Sequence, residues 1–135
     1  MKKLVLALAI LAGLPMTAQA QDAAAGKAVF AVCRACHQIG EGTGHGVGPN
    51  LNGVIGRKSG AVGTVNGKDF TYSEAMKNSN LTWDEATFSE YIANPKAKVA
   101  GNKMIFAGIK DEQKIKDLVA FLKLYDKDGK PGLPQ

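Results

Sequence analysis

The sequence predicts an all-α domain with a helix near each end and a long loop region between them. An alanine-rich, helix-forming stretch begins after residue 21, and an amphipathic pattern occupies residues 111–125. Between them, residues 40–69 contain ten glycines and no strand pattern. Loop regions of this length are uncommon unless they have a function. The sequence therefore predicts loops that wrap around a group supplying the missing core.

The first twenty residues have the features of a secretory signal peptide. A basic head, MKK, precedes an apolar run of eleven residues, and Ala18 and Ala20 show the small-x-small spacing that signal peptidase accepts. A membrane anchor is the alternative, but a spanning helix needs about 20 apolar residues. We expect cleavage after Ala20 and export to a bacterial periplasm. Residues 21–135 would then form one domain with a short tail from about residue 126.

Two helices are predicted in the first part of this domain, on either side of the glycine-rich loops. Asp22 is placed to cap an alanine-rich helix that extends to about Arg34. After the loops, the stretch FTYSEAMKNS predicts a short helix that begins near Ser73.

Two helices are also predicted in the second part. Thr82 and Glu85 fit a capping box, and that helix should end before Asn94-Pro95 because the residue before proline avoids the helical region. Residues 96–108 are predicted to form a loop. Asp111 then begins a final helix, and residues 126–135 are expected to form a mobile tail. The apolar residues of this helix fall on one face, namely Ile115, Leu118, Val119, Leu122 and Tyr125.

The charge of the chain favours an acidic protein partner over nucleic acid. The formal net charge is +5, to which Lys2 and Lys3 contribute within the predicted signal peptide. Arg34 and Arg57 are the only arginines, and the sequence has no basic run. Nucleic-acid binding is therefore not expected.

The stretch VCRACHQIG contains Cys33 and Cys36, followed directly by His37. These residues could form a disulfide, a thioredoxin-like redox pair or half of a zinc site. No strand is predicted before the motif, and His45 is the only obvious further zinc ligand. C-x-x-C-H is also the signature of covalent haem attachment. On a helical turn both thiols face one side and could bond the two haem vinyl groups, while the histidine reaches the iron.

If a haem is bound, its sixth ligand decides the function, because an open iron suggests catalysis or gas binding and a filled one suggests electron transfer. Met104, Met76 and His45 are the candidates. Met104 lies in a loop between two glycines, where packing in a helical core does not explain it. His45 follows His37 closely, so we expect a loop-bracing hydrogen bond instead. Met104 is the preferred candidate.

Several motifs in order resemble class I cytochrome c, of the bacterial and mitochondrial branch that includes the cytochromes c2. They are CRACH, GVGPNLNGVIGRKSG, FTYSEAM, LTWDEATFSEYIANP and NKMIFAGIKDEQKIKDLVAFLK, and the likeness covers nearly all of residues 22–125. The resemblance implies the small cytochrome c fold, in which the N- and C-terminal helices cross and loops wrap a covalently bound haem. Gly26 and Phe30 would cross Leu118 and Phe121.

The resemblance also implies a role for each matching residue. One haem c would be bound through two thioethers, from Cys33 and Cys36, with His37 and Met104 as axial ligands. The carbonyl of Pro49 would accept a hydrogen bond from His37. The remaining residues would surround the haem propionates (Arg57, Tyr72, Trp83), approach Met104 inside the pocket (Tyr91) and cover the exposed haem edge (Phe106).

The sequence departs from this family pattern at two residues and in the length of two segments, the loop at 61–69 and the tail after Tyr125. Met76 stands where the mitochondrial members usually carry asparagine, and Asn102 replaces a usual threonine two residues before the expected methionine ligand. The loop at 61–69 is about five residues longer than its mitochondrial counterpart. These departures concern the reduction potential, the rigidity of the methionine ligation and the contact surface.

The resemblance implies a diffusible, monomeric one-electron carrier. Its expected partners are a cytochrome bc1-type donor, a terminal oxidase or photosynthetic reaction centre as acceptor, and a soluble dehydrogenase as another possible donor. Lysines near the haem edge would steer docking, with Lys103 the best placed. Four more are plausible by resemblance: Lys27, Lys96, Lys98 and Lys110. A haem enzyme or ligand sensor, and a non-haem thiol oxidoreductase, are the rival functions.

Overall fold

The computed structural model describes residues 20–132 and contains five helices in that range. They are α1 (Ala23–Phe30), α2 (Glu74–Asn78), α3 (Glu85–Ala93), α4 (Pro95–Lys98) and α5 (Glu112–Leu122). The described residues form isolated β-bridges and no β-strand. The predicted all-α fold class is confirmed. The predicted signal peptide lies outside the described residues except for Ala20.

Helices α1 and α5 cross in direct contact. A Cβ on Gly26 would overlap the backbone carbonyl of Asp117 and lie 2.8 Å from the Cβ of Phe121. The rings of Phe30 and Phe121 are 5.2 Å apart between centroids. The buried carboxylate of Asp117 accepts a hydrogen bond of 2.9 Å from the backbone N–H of Asp22. The expected crossing is therefore confirmed, and glycine is what allows the two backbones to approach so closely.

Three predicted helix starts are confirmed by their caps. Asp22 accepts hydrogen bonds from the N–H groups of Ala24 and Ala25, which would otherwise lack partners in the first turn of α1. Ser73 caps α2 and Asp111 caps α5 in the same way. The predicted capping box at Thr82 is wrong, because Asp84 is the cap of α3 and its carboxylate accepts from Thr87 at 2.7 Å. Thr82 instead forms a β-bridge with Lys58.

Two helix boundaries differ from the predicted ones. Helix α1 ends at Phe30, and residues 31–36 continue as consecutive turns that carry the cysteine motif. Residues 96–98 are not loop, because Pro95 begins the short helix α4. Proline fits the first position of a helix, where its missing N–H costs nothing. Asn94 ends α3 as predicted and also caps α4, accepting from Ala97 at 3.3 Å.

The segment after Tyr125 was expected to be mobile, and residues 126–132 instead pack back onto the domain. Tyr125 pairs with Pro131 in a β-bridge, and Gly132 donates to the Leu124 carbonyl at 2.6 Å. A Cβ on Gly129 would overlap the backbone of Gly40, so this segment covers the start of the glycine-rich loops.

The core lies between α1, α3 and α5, with the loops folded against one side. Its most deeply buried apolar residues come from α5: Leu118, Val119 and Leu122. Within residues 20–132, no helix is both long enough and apolar enough to cross a membrane.

We expect Gly26→Ala to lower the free energy of unfolding by about 2 kcal/mol or more, because the added methyl forces α1 and α5 apart. Guanidinium unfolding would measure the loss. Gly63→Ala is the matched control, since a Cβ there meets no atom within 4 Å, and its effect should stay within about 0.5 kcal/mol. Equal stabilities for the two variants would contradict the close crossing.

Candidate functional site

One cavity of about 390 Å³ lies between the helical core and the loops. Its lining includes every residue to which the sequence assigned a binding or ligand role: Cys33, Cys36, His37, Pro49, Arg57, Tyr72, Trp83, Tyr91, Met104 and Phe106. The wall is completed by core residues of α5, Leu118 and Leu122, and by Phe30 and Phe88. The structure thus brings residues from distant parts of the sequence to one site.

The imidazole of His37 is held in one orientation from two sides. Its Nδ1 lies 2.7 Å from the Pro49 carbonyl oxygen, which can only accept, so Nδ1 carries the proton. A Cβ on Gly48 would overlap the ring, so glycine there lets the loop backbone lie against it. Burial lowers the pKa of His37, and the hydrogen bond to Pro49 offsets this in part. The result is a neutral imidazole whose Nε2 lone pair is available to a metal.

Cys33 and Cys36 are both free thiols and line the same cavity as His37. Burial raises the pKa of Cys33 to about 11, with a smaller contribution from Cys36. A redox-active thiol pair depends on a lowered pKa, so this environment disfavours a thioredoxin-like reaction. In the described part of the chain, no three histidine, cysteine or acidic residues lie close enough to hold a metal ion. The geometry therefore gives no support to the zinc alternative.

A polar network holds the side of the cavity that contains Arg57. The guanidinium donates from Nη1 to the Asn52 carbonyl at 3.0 Å and from Nη2 to the Asn50 carbonyl at 3.2 Å. Its third nitrogen, Nε, is buried and has no hydrogen-bond partner among residues 20–132. Burial lowers the pKa of Arg57. Burial also raises the pKa of Tyr72, and the charge of the Arg57 guanidinium partly offsets that rise. A buried guanidinium whose Nε–H is unpaired fits an anionic group in the cavity.

Met104 lies beside a buried tyrosine. The hydroxyl of Tyr91 is 3.8 Å from the Met104 sulfur, within the range of an O–H···S hydrogen bond. Burial raises the pKa of Tyr91 to about 12, so the hydroxyl keeps its proton at neutral pH. The Tyr91 ring packs on Trp83 with centroids 4.8 Å apart. This contact with Trp83 holds the hydroxyl of Tyr91 beside the Met104 thioether.

His45 does not belong to the cavity lining. Its Nδ1 accepts a hydrogen bond of 3.0 Å from the backbone N–H of Asn50, as the predicted loop-bracing role requires. Asn50 itself is fully buried and donates to Thr43 and to the Gly44 carbonyl. Residue type and spacing assign no role to Asn50 or Gly48, although both lie in the motif GVGPN. The signal available in the sequence was an asparagine directly after a proline in a glycine-rich loop.

The mouth of the cavity carries exposed apolar side chains. Val32, Val47 and Ile105 are the three most exposed large apolar residues among those described, and all three line the cavity. Lys103 is exposed and lines the same cavity. An apolar rim beside a cation is typical of a surface that contacts another protein.

Comparisons with known proteins agree with this geometry. A sequence model of the family "Cytochrome c" matches residues 23–124. Cytochrome c2 of Blastochloris viridis is 54% identical over 129 residues, which cover 96% of this chain and 98% of that protein. Cytochrome c-550 of Bradyrhizobium diazoefficiens is 58% identical over 108 residues, covering 80% of this chain and 76% of that protein. The solved structure of cytochrome cH from Methylobacterium extorquens has a TM-score of 0.68 at 46% identity, covering 76% of this chain and 97% of that one.

We expect Gly48→Ala to displace the His37 ring and break its hydrogen bond to Pro49, which would destabilise the protein by about 2 kcal/mol. Denaturant unfolding and the NMR signals of the His37 ring would report the change. Gly44→Ala is the control in the same loop, because a Cβ there makes only an ordinary contact of 3.7 Å with Asn66. An unmoved His37 ring in Gly48→Ala would contradict the packing described for this site.

Proposed function

Because the chain belongs to the cytochrome c family, in the class I branch that includes the cytochromes c2, we propose that it is a periplasmic one-electron carrier with one haem c ligated by His37 and Met104. Its relatives named cytochrome c2 and c-550 indicate that the protein is a haem-containing electron carrier and not an enzyme. The observation that carries the finer proposal is that Cys33, Cys36, His37 and Met104 all line one cavity.

The residues of the cavity fit a haem. A large apolar wall suits the porphyrin, and the two cysteines would hold it through thioethers. The buried and unpaired Nε of Arg57 fits a propionate carboxylate, with Tyr72 close to the same guanidinium. A carboxylate buried without such a donor would be costly. Trp83 is proposed to line the propionate side, and Phe106 to cover the haem edge.

When bound, the haem supplies an iron that cycles between Fe(II) and Fe(III) and so carries one electron. His37 would present its neutral Nε2 to the iron, with the ring held by Pro49 and Gly48. Met104 would present a soft, neutral sulfur, which favours Fe(II) and raises the reduction potential relative to a second histidine. Tyr91 would orient that sulfur and withdraw electron density from it.

The apolar rim of Val32, Val47 and Ile105 would form the contact with redox partners. Of the five lysines expected to steer docking, Lys98 is paired with Glu90 and Lys110 donates to the Ala93 carbonyl. The ammonium groups of Lys98 and Lys110 are therefore less available to a partner protein. Lys103 remains the best placed because it is exposed at the cavity mouth. Lys27 and Lys96 are also exposed.

We propose that the protein is located in the periplasm and that its signal peptide is cleaved after Ala20. The proposed donor is a cytochrome bc1-type complex or a soluble dehydrogenase, and the acceptor is a terminal oxidase or a photosynthetic reaction centre. A net positive charge suits acidic docking sites on such complexes. We propose that the carrier acts as a monomer.

Tyr91→Phe should lower the reduction potential by about 20–40 mV, because loss of a weak hydrogen bond to the ligand sulfur removes about 0.5–1 kcal/mol of preference for Fe(II). Spectroelectrochemical titration would measure it. Tyr125→Phe is the control, since Tyr125 packs on Phe121 outside the haem cavity. An unchanged potential in Tyr91→Phe, or an equal fall in both variants, would contradict a hydrogen bond to a ligating sulfur.

The electron-transfer role is tested with the reduced protein and membranes from its own source, kept in the dark. We expect rapid re-oxidation, seen in the haem absorbance and blocked by cyanide, if a respiratory oxidase is the acceptor. Absence of dark re-oxidation would rule out that role, and re-oxidation on illumination would then identify a light-driven acceptor. Failure under both conditions would contradict the proposed carrier function.

The same assay tests steering by Lys103. Lys103→Gln should slow re-oxidation about threefold at low ionic strength, and the difference should disappear at high salt. Lys116→Gln is the matched control, because it removes the same charge from an exposed position on α5 outside the cavity lining. Equal rates for the two variants would contradict a steering role for Lys103.

A further inference from the structure

The segment that carries Met104 is attached to the helical core at both ends. At its far end, Ile109 donates to the Ile92 carbonyl at 2.9 Å, and a Cβ on Gly108 would overlap the Ala93 carbonyl. These contacts fix residues 108–109 on the last turn of α3. Between the two attachments, the side chains of Met104 and Phe106 are half-buried, whereas Lys103, Ile105 and Ala107 are exposed.

At the near end, the attachment is made by the side chain of Asn102. Its Nδ2 donates to the Pro95 carbonyl at 2.9 Å and to the Val99 carbonyl at 2.8 Å. Its Oδ1 accepts a hydrogen bond of 2.9 Å from the backbone N–H of Met104. The backbone N–H of Asn102 also donates to the Val99 carbonyl at 3.2 Å. One amide thus joins both ends of α4 to the backbone of Met104 itself.

This pattern needs a side chain with two donors and one acceptor at the same time. A primary amide of this length supplies both donors from Nδ2 and the acceptor from Oδ1. A threonine hydroxyl, which the family resemblance leads one to expect here, has only one donor. An aspartate would keep the acceptor for Met104 but would place negative oxygens against two carbonyl oxygens. Pro95 is the first residue of α4 and Val99 follows its last, so the two carbonyls that accept from Asn102 lie at opposite ends of this short helix.

We propose that Asn102 is a positioning residue that keeps the Met104 sulfur on the haem iron by holding the backbone of Met104 against α4. The inference rests on the proposed ligation by Met104. A clamp of this kind favours the closed arrangement of the segment without touching the iron. Its loss would make the iron–sulfur bond easier to open, because the free segment gains conformational freedom when the bond breaks.

The test is competition between Met104 and added imidazole for the ferric haem. Opening of the segment must precede imidazole binding, so the measured affinity reports how strongly the segment is held. We expect Asn102→Ala and Asn102→Asp to bind imidazole about tenfold more tightly than the wild-type protein. The weak long-wavelength absorption band that requires iron–thioether coordination should weaken in both variants.

Two controls separate positioning from general loss of stability. Asn78→Ala makes the same chemical change at an exposed position on α2 and should leave the affinity unchanged. Val119→Ala opens a space in the buried face of α5, outside the cavity lining, and should lower the stability without raising imidazole affinity. A rise in affinity for Val119→Ala equal to that of Asn102→Ala would overturn the inference.

The outcomes also distinguish this inference from the proposed function. A wild-type protein that has the thioether band, together with an Asn102→Ala variant of wild-type imidazole affinity, would overturn the role of Asn102 alone. A wild-type protein without that band would overturn the Met104 assignment and the inference with it. Tighter imidazole binding in Asn102→Ala and Asn102→Asp, with unchanged affinity in both controls, would establish the clamp.

Discussion

The crossing of α1 and α5 at Gly26 positions two sides of the cavity. It fixes the direction in which the chain leaves α1, and the next turns carry Cys33, Cys36 and His37. Through α5 it also fixes Leu118 and Leu122, which form part of the cavity wall. The close approach of the two backbones therefore fixes the position of the thiols relative to this apolar wall. A hydrogen bond between Asp22 and Asp117 joins the two helices at one end.

The loops opposite this crossing are held by polar contacts more than by apolar packing. Arg57 joins the carbonyls of Asn50 and Asn52, and the segment after α5 covers Gly40. Loops that hold their own backbone in this way can leave space for a cofactor, because their stability does not depend on filling the cavity with side chains. The Met104 segment follows the same principle, since hydrogen bonds at Asn102 and Ile109 attach its two ends to the helices.

Most of the fold and the candidate site could be predicted from the sequence, because local chemistry specifies both. The caps at Asp22, Ser73 and Asp111 and the spacing of Cys33, Cys36 and His37 are short-range features. The errors have long-range causes. The spacing of Thr82 and Glu85 predicts a cap at Thr82, but Thr82 pairs with Lys58 across the fold and Asp84 caps the helix. The segment 126–132 lacks a helical or strand pattern, yet the exposed backbone near Gly40 gives it a surface to cover.

Residue type and spacing were enough to predict the all-α class, the motif that would attach a cofactor and the candidates for its axial ligands. The three-dimensional arrangement was needed to show that these residues share one cavity, that Nε of Arg57 has no partner among residues 20–132, and that Asn102 holds the backbone of Met104. The reason is physical. A hydrogen bond or a close approach between distant segments depends on the position of both partners, and no local pattern records that position.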